Sequence, residues 1–288
     1  MNVARSAAGL ESCPRTVAIG TFDGVHLGHR RVIGAAVETG LVPTVVTLDP
    51  HPRIALGYGV ELISTLERRL ELISALGVAD TLVVPFDHDL QQCEPEDFAQ
   101  SVLGAIGAEV VVAGETFRFG HRRRGDLALL RGLGFDARAI PFLEGVSSTE
   151  IRRMLHEGDV VGAATMLGRP PEVEGTVVVG DERGGTLGFP TANLAVDASL
   201  LVPAHGIYAG AALGTPAAVS IGLNPHYGGR ERKIEAFLLD FEGDLYGQRL
   251  VVELWRYLRE ERAFESEQAL IDQIARDVEA TRAATRPG

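Results

Sequence analysis

The chain has 288 residues, of which 45% are hydrophobic, so it is long enough to bury two cores of ordinary size. Its formal net charge of −12 disfavours a nucleic-acid-binding surface, because affinity for phosphate backbones comes from clustered lysine and arginine. Lys233 is the only lysine, which excludes a G-x-x-x-x-G-K-[ST] phosphate loop. Cys13 and Cys93 are the only cysteines and are too few for a disulfide framework.

The sequence contains no run of about 18 apolar residues and no basic-then-apolar N-terminal pattern. We therefore expect a cytoplasmic protein with no membrane partner and no nucleic-acid partner. The oligomeric state does not follow from the sequence.

Up to about residue 165, short β-branched apolar runs alternate with helical patterns. The strand-like runs are residues 17–19, 45–48, 81–84 and 110–112, and the clearest helical patterns are residues 66–76 and 95–106. This alternation predicts an α/β domain built on a parallel sheet.

Residues 148–167 form two short helical patterns, the first opened by Ser148, and residues 168–171 (GRPP) end the second. Strand-like runs follow, separated by Gly, Pro, Asn and Asp, at residues 175–179, 207–212, 217–221, 235–241 and 250–254. They predict an antiparallel barrel or sandwich. An amphipathic helix is expected over residues 266–282, with Leu270, Ile274 and Val278 on one face. We place the domain boundary between residues 167 and 168.

Two histidines and three glycines follow the first predicted strand, in residues 20–29 (GTFDGVHLGH). His26 and His29 lie on one face at a helix N-terminus, where backbone N–H groups and the helix dipole favour an anion. Phosphate oxygens are natural ligands there, and an imidazole stabilises charge on a transferred phosphoryl group. A surface histidine pair or a metal site would show the same H-x-x-H spacing.

Residues 145–152 (GVSSTEIR) place three hydroxyls at a helix start and Arg152 in its first turn, which are further phosphate donors. An ordinary helix N-cap gives the same pattern. Residues 121–124 (HRRR) are either a local handle for phosphates or, as we favour, a solvated loop.

The second half contains residues 184–194 (GGTLGFPTANL), a glycine-rich turn followed by Thr191 and Asn193. Their oxygens suit a hydrated Mg²⁺ that bridges phosphates. Glu235 lies beside apolar residues in a predicted strand. It is either a partly desolvated carboxylate that accepts a hydroxyl proton or an ordinary surface residue of the strand.

Residues 20–29, 49–52 (DPHP), 114–120 (GETFRFG) and 147–152 (SSTEIR) together closely resemble the FMN adenylyltransferase module of the prokaryotic bifunctional riboflavin kinase/FAD synthetase family. The resemblance implies a Rossmann-like nucleotidyltransferase fold that converts FMN and ATP to FAD and diphosphate. It implies catalytic roles for His26, His29, Ser148, Thr149 and Arg152. It further implies nucleotide or flavin contacts at Gly20, Phe22, Asp23, Gly24, Gly28, Phe117, Gly120 and Asp126.

The motifs G-F-P-T-A-N (188–193), I-G-L-N-P (221–225), I-E (234–235) and D-L-Y-G (244–247) resemble riboflavin kinases in the same order. This likeness implies a small antiparallel barrel that phosphorylates riboflavin to FMN with ATP. Thr191 and Asn193 would hold Mg²⁺, and Glu235 would activate the ribityl hydroxyl. The remaining implied contacts are Gly188, Pro190 and Asn224.

Three departures from the family pattern stand out: Thr116 in place of Asn or Asp, Gly185 in place of Arg, and His226-Tyr227 in place of Thr-Phe. Loss of the arginine at position 185 weakens nucleotide binding, because a planar guanidinium donates two hydrogen bonds to a phosphate. The alternatives are a second half that binds flavin without kinase activity, a non-catalytic flavin or nucleotide sensor, and adenylyl transfer to an acceptor such as pantetheine phosphate or nicotinamide mononucleotide. A kinase-like second half favours FMN as the acceptor.

Overall fold

A computed structural model describes residues 1–180, 189–223 and 232–288. The chain forms two compact units, Met1–Val146 and Ser147–Gly288. Across the described residues, no helix is both long and apolar enough to cross a bilayer.

The first unit contains a six-stranded parallel sheet with the strand order β1-β4-β3-β2-β5-β6. The strands are β1 (Asn2–Ala4), β2 (Arg15–Ile19), β3 (Val42–Asp49), β4 (Asp80–Pro85), β5 (Ala108–Gly114) and β6 (Asp136–Ile140). The predicted Rossmann-like α/β domain is confirmed. The four predicted runs are the central strands, and the two edge strands lack a buried apolar run because they are largely exposed.

Helices cover both faces of this sheet. They are α1 (Leu27–Val37), α2 (Pro52–Ala55), α3 (Leu66–Ser74), α4 (His88–Gln92), α5 (Pro95–Phe98) and α6 (Leu127–Gly132). The predicted helix over residues 95–106 is α5 continued by a π-helical turn, Ala99–Gly104. Ile33 and Ile73 pack on one face of the sheet and Leu103 on the other, each fully buried.

The strand order reverses between β2 and β5. The chain passes from β2 through α1 to β3 on one side, whereas β5 lies on the other side of β2. In open α/β sheets, ligands bind at the carboxyl ends of the strands at such a switch point. Residues 20–26 and Gly114 occupy this position, so the histidine turn lies where the fold places ligands.

The second unit begins with α7 (Ser148–His156) and α8 (Val160–Leu167), and α8 packs against the last barrel strand. Six antiparallel strands then close a barrel in the order β10-β11-β8-β7-β12-β9. They are β7 (Glu172–Val178), β8 (Ala192–Ala195), β9 (Gly206–Ala212), β10 (Thr215–Leu223), β11 (Arg232–Leu238) and β12 (Arg249–Arg259). The predicted antiparallel barrel is confirmed, and the functional boundary at residues 167/168 stays a prediction.

The C-terminal helix, α9 (Glu267–Ala283), packs on β9 and β10 of the barrel. Its buried residues are Gln273, Asp277 and Thr281, while Leu270, Ile274 and Val278 are only half-buried beside them. The helix is confirmed, but its docking face is polar. The reason is Arg259 at the end of β12, whose guanidinium donates to the Asp277 carboxylate, with the closest contact at 2.6 Å.

Two predicted strand ends differ from the structure. Strand β12 continues to Arg259, beyond the predicted residue 254. Strand β11 ends at Leu238, not at residue 241, because the chain turns at Asp240, which has a φ of 58°. Helix α7 begins at Ser148 as predicted, and Ser147 is its N-cap, since the Ser147 hydroxyl accepts the amide hydrogen of Glu150 at 3.1 Å.

Candidate active sites

The turn between β2 and α1 has an unusual backbone. Phe22, Gly24 and Val25 all have positive φ angles, of 51°, 79° and 41°. A Cβ atom at Gly24 would lie 2.8 Å from the Ile63 side chain, so close packing and backbone conformation both require glycine there. Three such residues in four positions mark a turn that the surrounding structure must hold in place.

The two histidines stack at the start of α1. Their ring centroids are 3.6 Å apart at an interplanar angle of 16°, and the Phe22 ring meets His29 edge-on at 5.4 Å. His26 is the N-cap of the helix, and its Nδ1 accepts the amide hydrogen of His29 at 3.2 Å. A Cβ atom at Gly28 would lie 3.1 Å from the His26 ring, so Gly28 leaves room for the stack. His26 is 7% exposed, which excludes an ordinary surface histidine pair.

Asp23 holds the turn against the segment that precedes α3. Its carboxylate is 2% exposed and accepts the amide hydrogens of Ile63 at 2.9 Å and Ser64 at 3.2 Å. The amide of Gly24 in turn donates to the Ser64 hydroxyl at 3.1 Å. These contacts assign Asp23 a structural task in the described chain, and its expected contact with nucleotide or flavin stays a prediction.

Arg69 was missed by the sequence analysis. It lies on the buried face of α3, is 1% exposed, and donates to the backbone oxygen of Thr21 at 2.6 Å. Burial lowers the pKa of its guanidinium, while the carboxylates of Asp23 and Asp49 act in the opposite direction. The sequence did carry a signal for this residue, because Arg69 is a charged residue on the apolar face of a predicted helix, between Leu66 and Ile73.

The segment that follows β5 contains three further predicted contacts. Phe117 is half-buried and stacks on Phe119 at a centroid distance of 5.5 Å. Gly120 packs against Pro95, which a Cβ atom would approach to 2.7 Å. Asp126 is the N-cap of α6, and backbone hydrogen bonds from Leu129 and Ala128 hold the pKa of its carboxyl below the usual value. Gly120 and Asp126 therefore shape the segment.

Ser148, Thr149 and Arg152 belong to the second unit, in the first turns of α7. Thr149 is exposed, and Ser148 and Arg152 are half-buried. The neighbouring Arg153 pairs with Glu150 and Glu157 on the same helix. The catalytic roles of these three residues stay a prediction.

The barrel aligns a second group of polar side chains on its outer face. In the strand register, Asn193 of β8 lies opposite Glu235 of β11, which lies opposite Ser220 of β10. The Thr191 hydroxyl is 3.5 Å from the Glu235 carboxylate, and Lys233 Nζ is 3.3 Å from it. The predicted kinase residues Thr191, Asn193 and Glu235 are therefore brought together.

Asn193 provides a test of whether this face fits a metal ion. Its Oδ1 atom is buried and has no hydrogen-bond partner among the described residues. Buried oxygens without a partner are rare, and an amide oxygen beside a hydroxyl and a carboxylate is a ligand set that Mg²⁺ prefers. The donor set therefore fits Mg²⁺. Gly180 lies against this amide, since a Cβ atom there would be 2.2 Å from Asn193 Nδ2.

Further groups border the same face. Phe189 and Phe237 form an edge-to-face pair at 5.4 Å, and Pro190 between Phe189 and Thr191 is exposed. Glu261, which the sequence analysis missed, accepts a hydrogen bond from the Ser220 hydroxyl at 3.1 Å. Gly188 and Asn224, together with the departures at Gly185 and His226-Tyr227, lie outside the described residues.

Comparison with known proteins assigns each unit to a family. The FAD synthetase family model matches residues 10–146, and the riboflavin kinase family model matches residues 167–285. A bifunctional riboflavin kinase/FMN adenylyltransferase from Listeria monocytogenes is 35% identical over 93% of this chain and 92% of its own length. The protein of the same name from Escherichia coli strain K12 is also 35% identical, over 94% of this chain and 92% of its own.

A solved structure from Streptococcus pneumoniae, named a macrolide-efflux protein, covers 97% of this chain and 98% of its own. It has a TM-score of 0.85 and 28% sequence identity. The matches at 35% identity extend across both units, and the two family models occur in the order that the site residues predict. The chain therefore belongs to the bifunctional riboflavin kinase/FMN adenylyltransferase family, whose enzymes make flavin cofactors.

Proposed function

We propose that the first unit transfers AMP from ATP to FMN at the histidine turn, and that the second unit phosphorylates riboflavin on the outer face of β8 and β11. The observation that carries the first assignment is the stacked pair His26 and His29 at the switch point of a parallel sheet. The alignment of Asn193 with Glu235 supports the second. FMN is then the product of one unit and the substrate of the other.

In adenylyl transfer, a phosphate oxygen of FMN attacks the α-phosphorus of ATP, and the bond from that phosphorus to the β-phosphate oxygen breaks to release diphosphate. His26 Nδ1 accepts a backbone hydrogen, so the proton of the neutral ring is on Nε2, the atom that donates to a phosphate oxygen. The ring is buried and fixed by stacking, so its dipole is oriented before the substrate arrives. Ser148, Thr149 and Arg152 are proposed to take part through phosphate contacts.

In the kinase reaction, the ribityl 5′-hydroxyl attacks the γ-phosphorus of ATP and its proton passes to Glu235, while the bond to the ADP oxygen breaks. Lys233 lies 3.3 Å from the Glu235 carboxylate and positions it. Thr191 and Asn193 would hold Mg²⁺ by their side-chain oxygens. When bound, the ion would neutralise negative charge that develops on the phosphates.

The substrates are proposed to be riboflavin, FMN and ATP, with no nucleic-acid or membrane partner. The cytoplasm is the proposed location, as expected from the sequence.

Product analysis by chromatography tests the proposal. The purified protein is incubated with ATP, Mg²⁺ and either riboflavin or FMN, and a parallel set contains EDTA. We expect FAD from both substrates and no FMN from riboflavin when EDTA is present. FAD from FMN alone would refute the kinase assignment, FMN as the only product from riboflavin would refute the transferase assignment, and no product from either would favour a non-catalytic sensor.

A further inference from the structure

A buried arginine lies behind the histidine turn and has no part in the chemistry described above. Arg69 is 1% exposed, and its Nε atom is buried with no hydrogen-bond partner among the described residues. Burying a guanidinium is costly unless other groups stabilise its charge. A position on the apolar face of α3 would be filled at lower cost by leucine or methionine, so the charge itself requires an explanation.

The guanidinium is directed at the backbone of the turn. Arg69 Nη1 donates to the Thr21 oxygen at 2.6 Å, and the Thr47 hydroxyl donates to the same oxygen at 3.2 Å. Thr21 directly precedes Phe22, the first of the three residues with positive φ. Two donors from α3 and β3 therefore fix the start of a backbone that would otherwise relax, and the stacked histidines follow within a few residues.

The same guanidinium also lies among negative charges. The carboxylates of Asp23 and Asp49 both act on its charge, and Asp23 is 2% exposed. A carboxylate within the turn, Asp23, and a second at the end of β3, Asp49, would repel a polyphosphate ligand, and repulsion is strong where water is excluded. The positive charge of Arg69, on which both carboxylates act, offsets part of this repulsion.

We propose that Arg69 is a positioning residue for adenylyl transfer, which fixes the Thr21 carbonyl and offsets Asp23 and Asp49 so that the turn accepts the phosphates of ATP. The inference rests on the assignment of adenylyl transfer to the histidine turn. It predicts that charge at position 69 controls ATP affinity, whereas a purely structural arginine would affect stability alone.

The test compares Arg69→Lys, which keeps the charge, with Arg69→Gln, which keeps a donor without the charge. Arg138→Met is the matched control, because Arg138 is exposed on β6 and its guanidinium pairs with Asp136 of the same strand. Each full-length variant is assayed below its melting temperature for conversion of FMN to FAD. Riboflavin phosphorylation by the same molecules serves as an internal standard.

We expect Arg69→Gln to raise the KM for ATP in FAD formation by about tenfold or more, because the charge and the charge-assisted hydrogen bond to the Thr21 oxygen are both lost. Arg69→Lys should restore most of that KM, and adding Asp49→Asn to Arg69→Gln should restore part of it. Equal KM values in the Lys and Gln variants, or values within twofold of the parent in both, would overturn the proposal. If the parent itself makes no FAD from FMN, the failure lies with the proposed function instead.

Discussion

Replacing Gly180 by alanine tests the proposed Mg²⁺ site without removing any polar group. The new Cβ atom would lie 2.2 Å from Asn193 Nδ2, whereas ordinary contacts begin at 3.4 Å. Alanine adopts the φ angle of Gly180 readily, so the backbone keeps its conformation. The clash is therefore relieved by moving the Asn193 amide by about 1 Å. The buried Oδ1 oxygen moves with it.

A displacement of about 1 Å at a group that positions the reacting phosphates lowers the rate by about 100-fold. We expect a loss of this size in kcat for FMN formation from riboflavin, measured by chromatography at saturating ATP and Mg²⁺. FAD formation from FMN should not change, because the histidine turn belongs to the other compact unit.

Gly132→Ala is the control, because a Cβ atom at Gly132 would meet nothing within 4 Å. It should leave both activities at the parent level. A Gly180→Ala variant whose kinase kcat stays within twofold of the parent would refute the role assigned to the Asn193 oxygen.

Three further predictions separate the two units. His26→Asn should lower FAD formation from FMN on the order of 100-fold, because an oriented donor at the phosphates is lost, while FMN formation from riboflavin continues at the parent rate. Glu235→Gln should do the opposite, lowering riboflavin phosphorylation by about 100-fold or more with FAD formation from FMN unchanged; parallel losses in both reactions would contradict separate sites. Asp277→Ala should destabilise the second unit by about 3 kcal/mol, because the half-buried Arg259 loses its ion pair, and a melting curve that matches the parent would contradict this estimate.

The sequence predicted those parts of the fold and of the sites that depend on neighbouring residues. The strands buried on both faces are continuous apolar runs, and the histidine turn is complete within ten residues. Contacts between distant segments were not predicted. Arg69 donates a hydrogen bond to Thr21, which lies 48 positions earlier in the chain, and Ile63 donates to the Asp23 carboxylate, 40 positions earlier. Side chains that hold a site from behind are recognised only when the fold brings them together.

The polar docking face of α9 limits how the C-terminal helix can be seated. An apolar stripe tolerates sliding, because one methyl group replaces another at nearly equal energy. Here the Arg259 fork must meet the Asp277 carboxylate, while Arg262 reaches Gln273 one turn earlier. A shift of the helix by one turn would place the Arg259 guanidinium opposite the Gln273 amide or the Thr281 hydroxyl. Charge pairing therefore selects a single position of the helix along the barrel.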